Sequence, residues 1–193
     1  MTTAGLLLAA GGSTRFLGTG SKLLAEFRGR PLVQWPMLAA SNSGCDEVAV
    51  IDGALDLSSV LLPDLNLLHN RNWAAGQATS LQLGIQWCRS RGHDLVLVGL
   101  GDQPLVPSTA WDAVRLAESA PITAATYSGR RGHPVRLAQE VWHLLPTEGD
   151  HGARSLMQLH PEMVLEVECL GDPADVDTVE DLERHRLGAA PPG

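Results

Sequence analysis

The sequence predicts an α/β fold, a single Rossmann-like domain in which a mostly parallel sheet lies between two layers of helices. Short apolar runs alternate with segments of helical spacing, which is typical of parallel strands covered by helices on both faces. The run at residues 94–100 is apolar almost throughout, as expected of a strand buried on both faces. A chain of 193 residues suits one domain. We therefore expect residues 1–187 to form that domain and residues 188–193 to be a disordered tail.

Each predicted element depends on its own local pattern. Apolar runs predict strands that begin at residue 5 and span residues 23–27, 47–51, 65–69, 94–100, 122–127, 134–137 and 163–169. Helical spacing predicts helices over residues 31–44, 55–62, 79–90, 139–145 and 153–160, with two more that start near Thr109 and at Thr178. Pro31 suits a first helical position, whereas Pro36 should disturb the first turns of the same helix. Thr109 and Asp112 have capping-box spacing, and Thr178 is a candidate helix cap.

Composition and charge argue against several classes of protein. The formal net charge is −8, whereas a general nucleic-acid-binding protein shows a basic face. The three cysteines, Cys45, Cys88 and Cys169, include no Cys-x-x-Cys pair, so neither a zinc site nor a disulfide framework is indicated. No segment reaches 18 apolar residues, and no basic region precedes the first apolar run. We expect a cytoplasmic protein with no membrane or nucleic-acid partner.

The loop that follows the first strand has the composition of a phosphate-binding loop. Gly11, Gly12 and Ser13 allow tight turns and close approach of backbone amides to a ligand, and Arg15 and Lys22 add positive charge. The spacing matches neither Gly-x-x-x-x-Gly-Lys-Ser/Thr nor a Gly-x-Gly-x-x-Gly between strand and helix. An anion site and a glycine-rich surface turn with two solvated cations explain this composition and spacing equally well.

A second candidate is Asp102, which follows the run at residues 94–100. In open parallel sheets, ligands bind beyond the carboxyl ends of the strands, so Asp102 should lie at the same edge as the glycine-rich loop. A carboxylate there can hold Mg²⁺ against phosphate oxygens. The alternative is an aspartate in a turn or helix cap.

The glycine-rich loop also resembles a known motif. Leu8-Ala-Ala-Gly-Gly-Ser-Thr-Arg15, followed by Ser21-Lys-Leu-Leu24, resembles the signature loop of the MobA-like nucleotidyltransferases. Within that family the loop is most similar to that of the molybdenum cofactor cytidylyltransferases. The spacing from Arg15 to Lys22 is longer than the commoner pattern, and Phe16-Leu17 replaces the usual Met.

Five further segments resemble motifs of the same family. They are Asn70-Arg-Asn-Trp-Ala-Ala-Gly-Gln-Ala-Thr-Ser-Leu81, Gly101-Asp-Gln-Pro104, Arg130-Arg-Gly-His-Pro-Val135, Gly149-Asp-His-Gly-Ala-Arg154 and Asp175-Val-Asp-Thr-Val-Glu-Asp-Leu182. Without the resemblance, the first of them is a polar loop with a helix cap, and the third and fourth are polar surface turns. The matches follow one another from residue 5 to about residue 182, nearly the whole chain.

The resemblance implies roles for individual residues. Catalytic roles fall to Arg15, Lys22 and Asp102, and a Mg²⁺ site falls to Asp102, Asp175 and Asp177. Nucleotide binding falls to Leu8, Ala9, Ala10, Gly11, Gly12, Ser13, Lys22, Gly76 and Ser80. Acceptor binding falls to His133, Asp150 and Arg154.

The reaction that the resemblance implies is Mg²⁺-dependent transfer of CMP from CTP to the molybdenum cofactor, a phosphorylated pterin, with release of pyrophosphate. Residues 1–187 would form the nucleotidyltransferase domain. Ala10 favours CTP, because the guanylyltransferase relatives usually carry Gly at that position. GTP, or another phosphorylated acceptor, is the alternative within the enzymes. The alternative of a different class is a protein that carries or inserts the cofactor without turnover, with a molybdoenzyme as its partner.

Overall fold

A seven-stranded sheet runs through the structure, a computed structural model that describes residues 1–12, 16 and 21–187. The strands are β1 (Thr3–Leu8), β2 (Glu26–Phe27), β3 (Arg30–Pro31), β4 (Glu47–Asp52), β5 (Asn66–His69), β6 (Leu95–Leu100), β7 (Ile122–Tyr127), β8 (Arg130–Ala138) and β9 (Val164–Glu168). Their order is β5-β4-β1-β6-β8-β7-β9, and β2 and β3 form a separate hairpin. Strand β8 runs antiparallel to β6 and β7, and the other pairs of the sheet are parallel. The predicted mostly parallel sheet is confirmed. The predicted tail lies outside the described residues.

Helices cover both faces of the sheet. They are α1 (Gln34–Ser41), α2 (Gln77–Arg91), α3 (Ser108–Leu116), α4 (Gly152–Leu159) and α5 (Val179–Leu187). Successive side chains of β1 point to opposite faces. Leu6 lies in one apolar core with Leu81 of α2, and Leu7 lies in the other with Trp111 of α3. Gly99 of β6 makes room for this indole, since a Cβ there would lie 2.4 Å from Cζ2 of Trp111.

The elements between β2 and β6 differ from the prediction in their bounds. Residue 31 belongs to β3, and α1 begins at Gln34. Pro36 therefore lies in the first turn, where amide groups have no partner within the helix, so it does not disturb α1. The helix predicted over residues 55–62 is reduced to a 3-10 turn at Ser58–Val60.

Strand β8 is longer than predicted and lies inside the sheet. The turn before it is only Ser128–Gly129, whose φ angles of 52° and 74° fit a tight hairpin. The register against β7 then shifts, so that His133 and Pro134 are extra residues on β8. These two residues form a bulge, a feature that re-aims side chains and often lies beside active sites.

The two predicted helix caps had opposite outcomes. At α5, Oγ1 of Thr178 accepts from Asp181 N–H at 3.1 Å, and Oδ2 of Asp181 accepts from Thr178 N–H at 3.0 Å. The predicted cap at Thr178 is therefore confirmed. The capping box predicted for Thr109 and Asp112 is wrong, because Asp112 accepts instead from Gly44 N–H at 3.0 Å, and Pro107 precedes the helix.

The cysteines are all free thiols, and Cys88 and Cys169 are buried. Burial raises the pKa of Cys88 to about 12, so this thiol is protonated and unreactive at neutral pH. Within the described ranges, no helix has both the length and the apolar character needed to cross a membrane.

Candidate active site

Three charged side chains meet at the carboxyl edge of the sheet, the edge at which open α/β sheets bind their ligands. Nζ of Lys22 lies 2.7 Å from Oδ2 of Asp102 and 2.8 Å from Oδ1 of Asp177. The three side chains are 12%, 22% and 24% exposed. The cluster is therefore partly buried and still open to a ligand.

Asp102 is positioned by the turn that ends β6. Gly101 N–H donates to O of Leu8 at 2.9 Å, which ties this turn to the start of the glycine-rich loop. The two segments are so close that a Cβ on Gly101 would lie 2.8 Å from Cβ of Ala9. On the other side, Val176 N–H donates to O of Asp102 at 3.0 Å. Asp102 is thus held between the glycine-rich loop and the segment that leads into α5.

Gln103 fastens the segment that carries the other two acidic residues. It is 6% exposed, and its Nε2 donates to a backbone carbonyl at 2.9 Å and to Oδ1 of Asp175 at 2.8 Å. The side chain of Asp175 is exposed, but the protein around its carboxyl group raises its pKa, and the negative charges of Asp102 and Asp177 raise it further. The three predicted metal ligands are therefore close enough to repel one another, and the charge of Lys22 offsets part of that repulsion.

The backbone of Lys22 is held in place by its neighbours, and its side chain ends in a charged ammonium group. Burial alone would lower its pKa, but attraction by Asp102 and hydrogen bonds to Asp102 and Asp177 outweigh burial and raise the pKa. The ammonium group is therefore fully charged at neutral pH. Its neighbour Leu23 is 3% exposed, and Leu23 N–H donates to Oγ of Ser21 at 3.3 Å. The backbone at Lys22 is anchored in the core while the ammonium reaches the cluster.

The glycine-rich loop begins inside the protein and emerges at this edge. Leu8, Ala9 and Ala10 are buried, and Gly11 and Gly12 are exposed. The methyl group of Ala10 lies against Gly53, where an added Cβ would be 2.8 Å from it. The side chain of Ala10 therefore packs inward, on the loop after β4. The predicted ligand residues Ser13 and Arg15 lie outside the described residues.

The predicted nucleotide-binding residues Gly76 and Ser80 lie where the loop that begins at Asn70 meets the start of α2. Nδ2 of Asn70 donates to Oγ of Ser80 at 2.8 Å and to Oγ1 of Thr79 at 2.9 Å. Ser80 is 3% exposed, so its hydroxyl supports the loop from inside and does not lie on its surface. Gly76 is less buried than Ser80. Its backbone φ of 106° is a conformation that favours glycine.

The turn before α4, which holds the predicted acceptor residue Asp150, packs on this loop. Ala78 N–H donates to O of Gly149 at 2.9 Å. A Cβ on Gly76 would lie 2.5 Å from the carbonyl group of Gly149 and 2.9 Å from Oδ1 of Asp150. The structure thus brings Asp150 beside Gly76. Arg154 is exposed near the start of α4.

His133, the third predicted acceptor residue, belongs to the bulge of β8. Its backbone oxygen accepts from Oη of Tyr127 at 2.7 Å. Burial lowers the pKa of His133 to about 4, and the negative charge of Asp102 opposes this shift. The imidazole is therefore neutral at neutral pH and lies within electrostatic reach of Asp102.

Comparison with known proteins identifies the family. A model of the MobA-like NTP transferase domain matches residues 5–164. The chain belongs to this family of nucleotidyltransferases. Nicotine blue oxidoreductase of Paenarthrobacter nicotinovorans is 31% identical over 93% of this chain and 94% of its own length. Purine catabolism protein PucB of Bacillus subtilis is 26% identical over 94% and 95%, respectively.

Solved structures share the fold of this nucleotidyltransferase. Rv0371c from Mycobacterium tuberculosis H37Rv superposes with a TM-score of 0.81 and 24% identity, covering 98% of this chain and 100% of its own. The same protein in complex with manganese superposes with a TM-score of 0.78 and 24% identity, covering 95% and 97%. The predicted α/β nucleotidyltransferase fold is therefore confirmed.

The donor atoms of this nucleotidyltransferase fit a divalent cation. Asp102 and Asp177 each place a carboxylate oxygen against the same cationic nitrogen, and Mg²⁺ prefers such oxygens as ligands. Asp175 is instead hydrogen-bonded to Gln103. Within residues 1–12, 16 and 21–187, no group of three or more His, Cys, Asp or Glu is arranged to hold a metal. Mg²⁺ is usually bound through one or two carboxylates and keeps several waters, so the carboxylates of Asp102 and Asp177 fit it.

One polar pair at this edge was not predicted from the sequence. Nδ1 of His69, at the end of β5, lies 2.7 Å from Oδ1 of Asp52, at the end of β4. Asp52 is 1% exposed, and its Oδ2 accepts from Leu57 N–H at 3.0 Å. The pair therefore fixes the loops after both strands, and β5 leads directly into Asn70. Asp52 and His69 are the last residues of β4 and β5, at the edge where ligands bind. The rule that ligands bind at strand ends could therefore have predicted this pair from the sequence.

Proposed function

We propose that this nucleotidyltransferase is magnesium-dependent and transfers CMP from CTP to the phosphate of a molybdenum cofactor-type pterin. The observation that supports the proposal best is the cluster of Lys22, Asp102 and Asp177, which lies where the glycine-rich loop begins. The loop at Gly76 and the turn at Asp150 meet at the same edge. The charged cluster and the predicted nucleotide- and acceptor-binding residues therefore lie along one edge of the sheet, where transfer of a nucleotidyl group would need to hold both substrates.

The reaction is a substitution at phosphorus. An oxygen of the acceptor phosphate attacks the α-phosphorus of CTP and forms a new phosphoanhydride bond. The bond from the α-phosphorus to the bridging oxygen breaks, and pyrophosphate leaves with its electron pair. A phosphate monoester has a second pKa of about 6, so it is largely dianionic at neutral pH and needs no strong base. Catalysis therefore depends on positioning and neutralisation of charge.

The residues divide this work between them. Lys22 and the amides of Gly11 and Gly12 would bind the triphosphate, and Arg15 stays a predicted partner in that role. Asp102 and Asp177, with Asp175 close by, would hold Mg²⁺. The ion would supply charge stabilisation at the phosphate oxygens. Backbone atoms near Gly76 would bind the base. His133, Asp150 and Arg154 would face the acceptor.

The preference for CTP over GTP is proposed from the family pattern at Ala10. The methyl group of Ala10 packs on Gly53. It would therefore influence nucleotide choice through the backbone conformation of the glycine-rich loop, and not through contact with the base. GTP and other phosphorylated acceptors remain alternatives within the same chemistry.

A matrix of four nucleoside triphosphates against phosphorylated pterin acceptors, with Mg²⁺, tests the proposal. Steady release of pyrophosphate that requires both CTP and the pterin is the expected result. Release of pyrophosphate with another nucleotide or acceptor would show that the proposed substrates are wrong and that the proposed type of reaction is right. Stoichiometric binding of the pterin without release would support a carrier or insertion protein that serves a molybdoenzyme. The Asp102→Asn variant is the control for background hydrolysis.

A second candidate function comes from the similarity to nicotine blue oxidoreductase, at 31% identity over 93% of this chain. The corresponding assay follows oxidation or reduction of nicotine blue. Turnover of the dye without any release of pyrophosphate would favour this function over the nucleotidyl transfer. We expect the opposite pattern, because the edge carries the charged cluster that phosphate chemistry uses.

A further inference from the structure

Lys22 is the only lysine among the 193 residues, which include 13 arginines. Its ammonium group lies between Asp102 and Asp177, with Nζ at 2.7 Å and 2.8 Å from one oxygen of each. The same side chain is, with Arg15, a predicted phosphate-binding cation of the glycine-rich loop. One ammonium group would then have two sets of partners: the carboxylates that it contacts in this structure, and the phosphates of a bound nucleotide.

The ammonium group lies between the two oxygens that are the candidate ligands of a divalent cation. Mg²⁺ binds oxygens at about 2.0–2.1 Å, so an ion bound to these same two oxygens would lie less than about 5 Å from Nζ and would share the gap between the carboxylates with the ammonium group. Two cations cannot share that space, because like charges a few ångströms apart repel strongly.

The chemistry of lysine suits movement between two sites. An ammonium group is a compact point charge on a flexible four-carbon stem, whereas the guanidinium group of arginine forms a planar fork that holds carboxylates in a fixed geometry. The backbone of Lys22 is fixed by the buried Leu23. The side chain of Lys22 can therefore change rotamer while its backbone stays in place.

We propose that Lys22 is a stand-in cation: it holds Asp102 and Asp177 together in the metal-free enzyme and is displaced by the divalent ion. The displaced ammonium group then turns to the phosphates of the nucleotide. The second step rests on the proposed function, whereas the displacement concerns only the metal and this cluster. The ordinary assignment, in which Lys22 serves phosphate alone, gives the opposite expectation for metal binding.

Binding of Mn²⁺ without nucleotide, followed by the EPR signal of the free ion, tests the displacement. Lys22→Met should bind Mn²⁺ about tenfold more tightly than the unaltered protein, because the competing charge is gone. Lys22→Arg keeps the charge and should show no such gain. Arg91→Met is the matched control, since it removes a cation that pairs with Glu47 at the start of β4, on the opposite edge. It should leave the affinity for Mn²⁺ unchanged.

A second measurement follows the lysine itself. Protein labelled with ¹⁵N at the lysine side chain has a single lysine ammonium signal, because the sequence has one lysine. Saturation with Mg²⁺ should shift or broaden this signal, and addition of CTP should move it again. This titration needs no variant, so it decides the matter even if Lys22→Met does not fold.

Either of two results would overturn the inference: equal or weaker binding of Mn²⁺ by folded Lys22→Met, or a lysine signal that saturating Mg²⁺ does not change. Failure of the proposed function looks different. In that case the ion displaces Lys22 as expected, but no pairing of nucleotide and acceptor releases pyrophosphate.

Discussion

Replacement of Asp102 by asparagine separates the charge of this side chain from its size. The carboxylate accepts from Nζ of Lys22 at 2.7 Å, and the side chain is 22% exposed. An asparagine oxygen can still accept a hydrogen bond, and Lys22 keeps its contact with Asp177 at 2.8 Å. The expected loss is therefore about 1 kcal/mol of unfolding free energy, at the upper end for an exposed ion pair. For a chain of this size that lowers Tm by roughly 2–4 °C.

The effect of Asp102→Asn on turnover should be far larger than its effect on stability. Loss of one key electrostatic group typically costs about 10²–10³ in turnover, so we expect at least ~100-fold slower release of pyrophosphate. Circular dichroism checks the fold, and the release assay with CTP, pterin and Mg²⁺ measures the rate. Asp112→Asn is the control, because it makes the same change on α3, where the carboxylate accepts from Gly44 N–H. That variant should keep its turnover.

The same variant carries a test at high pH. The pKa of Lys22 is raised above 10.5 in the folded protein, so its stabilising contribution is fully present below that pH. It is lost as the pH rises through the folded-state pKa. Asp102→Asn removes the first of the attractive charges and should make this alkaline loss of stability smaller.

A folded Asp102→Asn protein with near-normal turnover would refute the role of Asp102 and the reasoning that leads to it.

Three further predictions concern the surrounding structure. Gly76→Ala should raise the KM for CTP at least severalfold, because its φ is 106° and its new Cβ would lie 2.5 Å from a backbone carbonyl; Gly129→Ala, with φ of 74° and nothing within 4 Å, is the control that adds backbone strain alone. Arg136→Met should lower the unfolding free energy by about 2–4 kcal/mol in urea titrations, because the buried guanidinium group binds three backbone carbonyls at and just after the end of α3; Arg131→Met, at an exposed ion pair, should cost less than ~1 kcal/mol. His133→Gln should flatten the loss of stability between pH 6.5 and about 4, since burial of the neutral imidazole makes the unfolded chain bind more protons in that interval; an unchanged slope would show that His133 does not titrate as its burial implies.

The fold could be predicted from the sequence because most of its strands are locally readable. The apolar runs that form β1, β4, β6 and β7 are buried on both faces. Such runs can be recognised in the sequence without knowledge of the strands that they pair with. Strand β8 could not be bounded in the same way. Its length and the bulge at His133 depend on pairing with β6 and β7, which no local pattern records.

Helix caps show how tertiary contacts override a local signal. Thr178 and Asp181 hydrogen-bond each other at the start of α5, and the predicted cap forms. The pair at Thr109 and Asp112 has the same spacing, but Gly44 N–H from the end of α1 competes for the carboxylate. A spacing rule cannot foresee this competitor, because Gly44 and Asp112 are 68 residues apart in the chain.

The candidate site combines both kinds of residue. Asp102 and the glycine-rich loop directly follow parallel strands, so the rule that ligands bind at strand ends places them correctly from sequence alone. Asp177 follows no strand, and 155 residues separate it from Lys22. It reaches the cluster because Val176 and Gln103 bind the neighbouring segment to the turn of Asp102. The strand-end rule therefore finds the residues that the sheet positions, whereas Asp177, on the segment that Gln103 holds, is indicated from the sequence only by the family resemblance of residues 175–182.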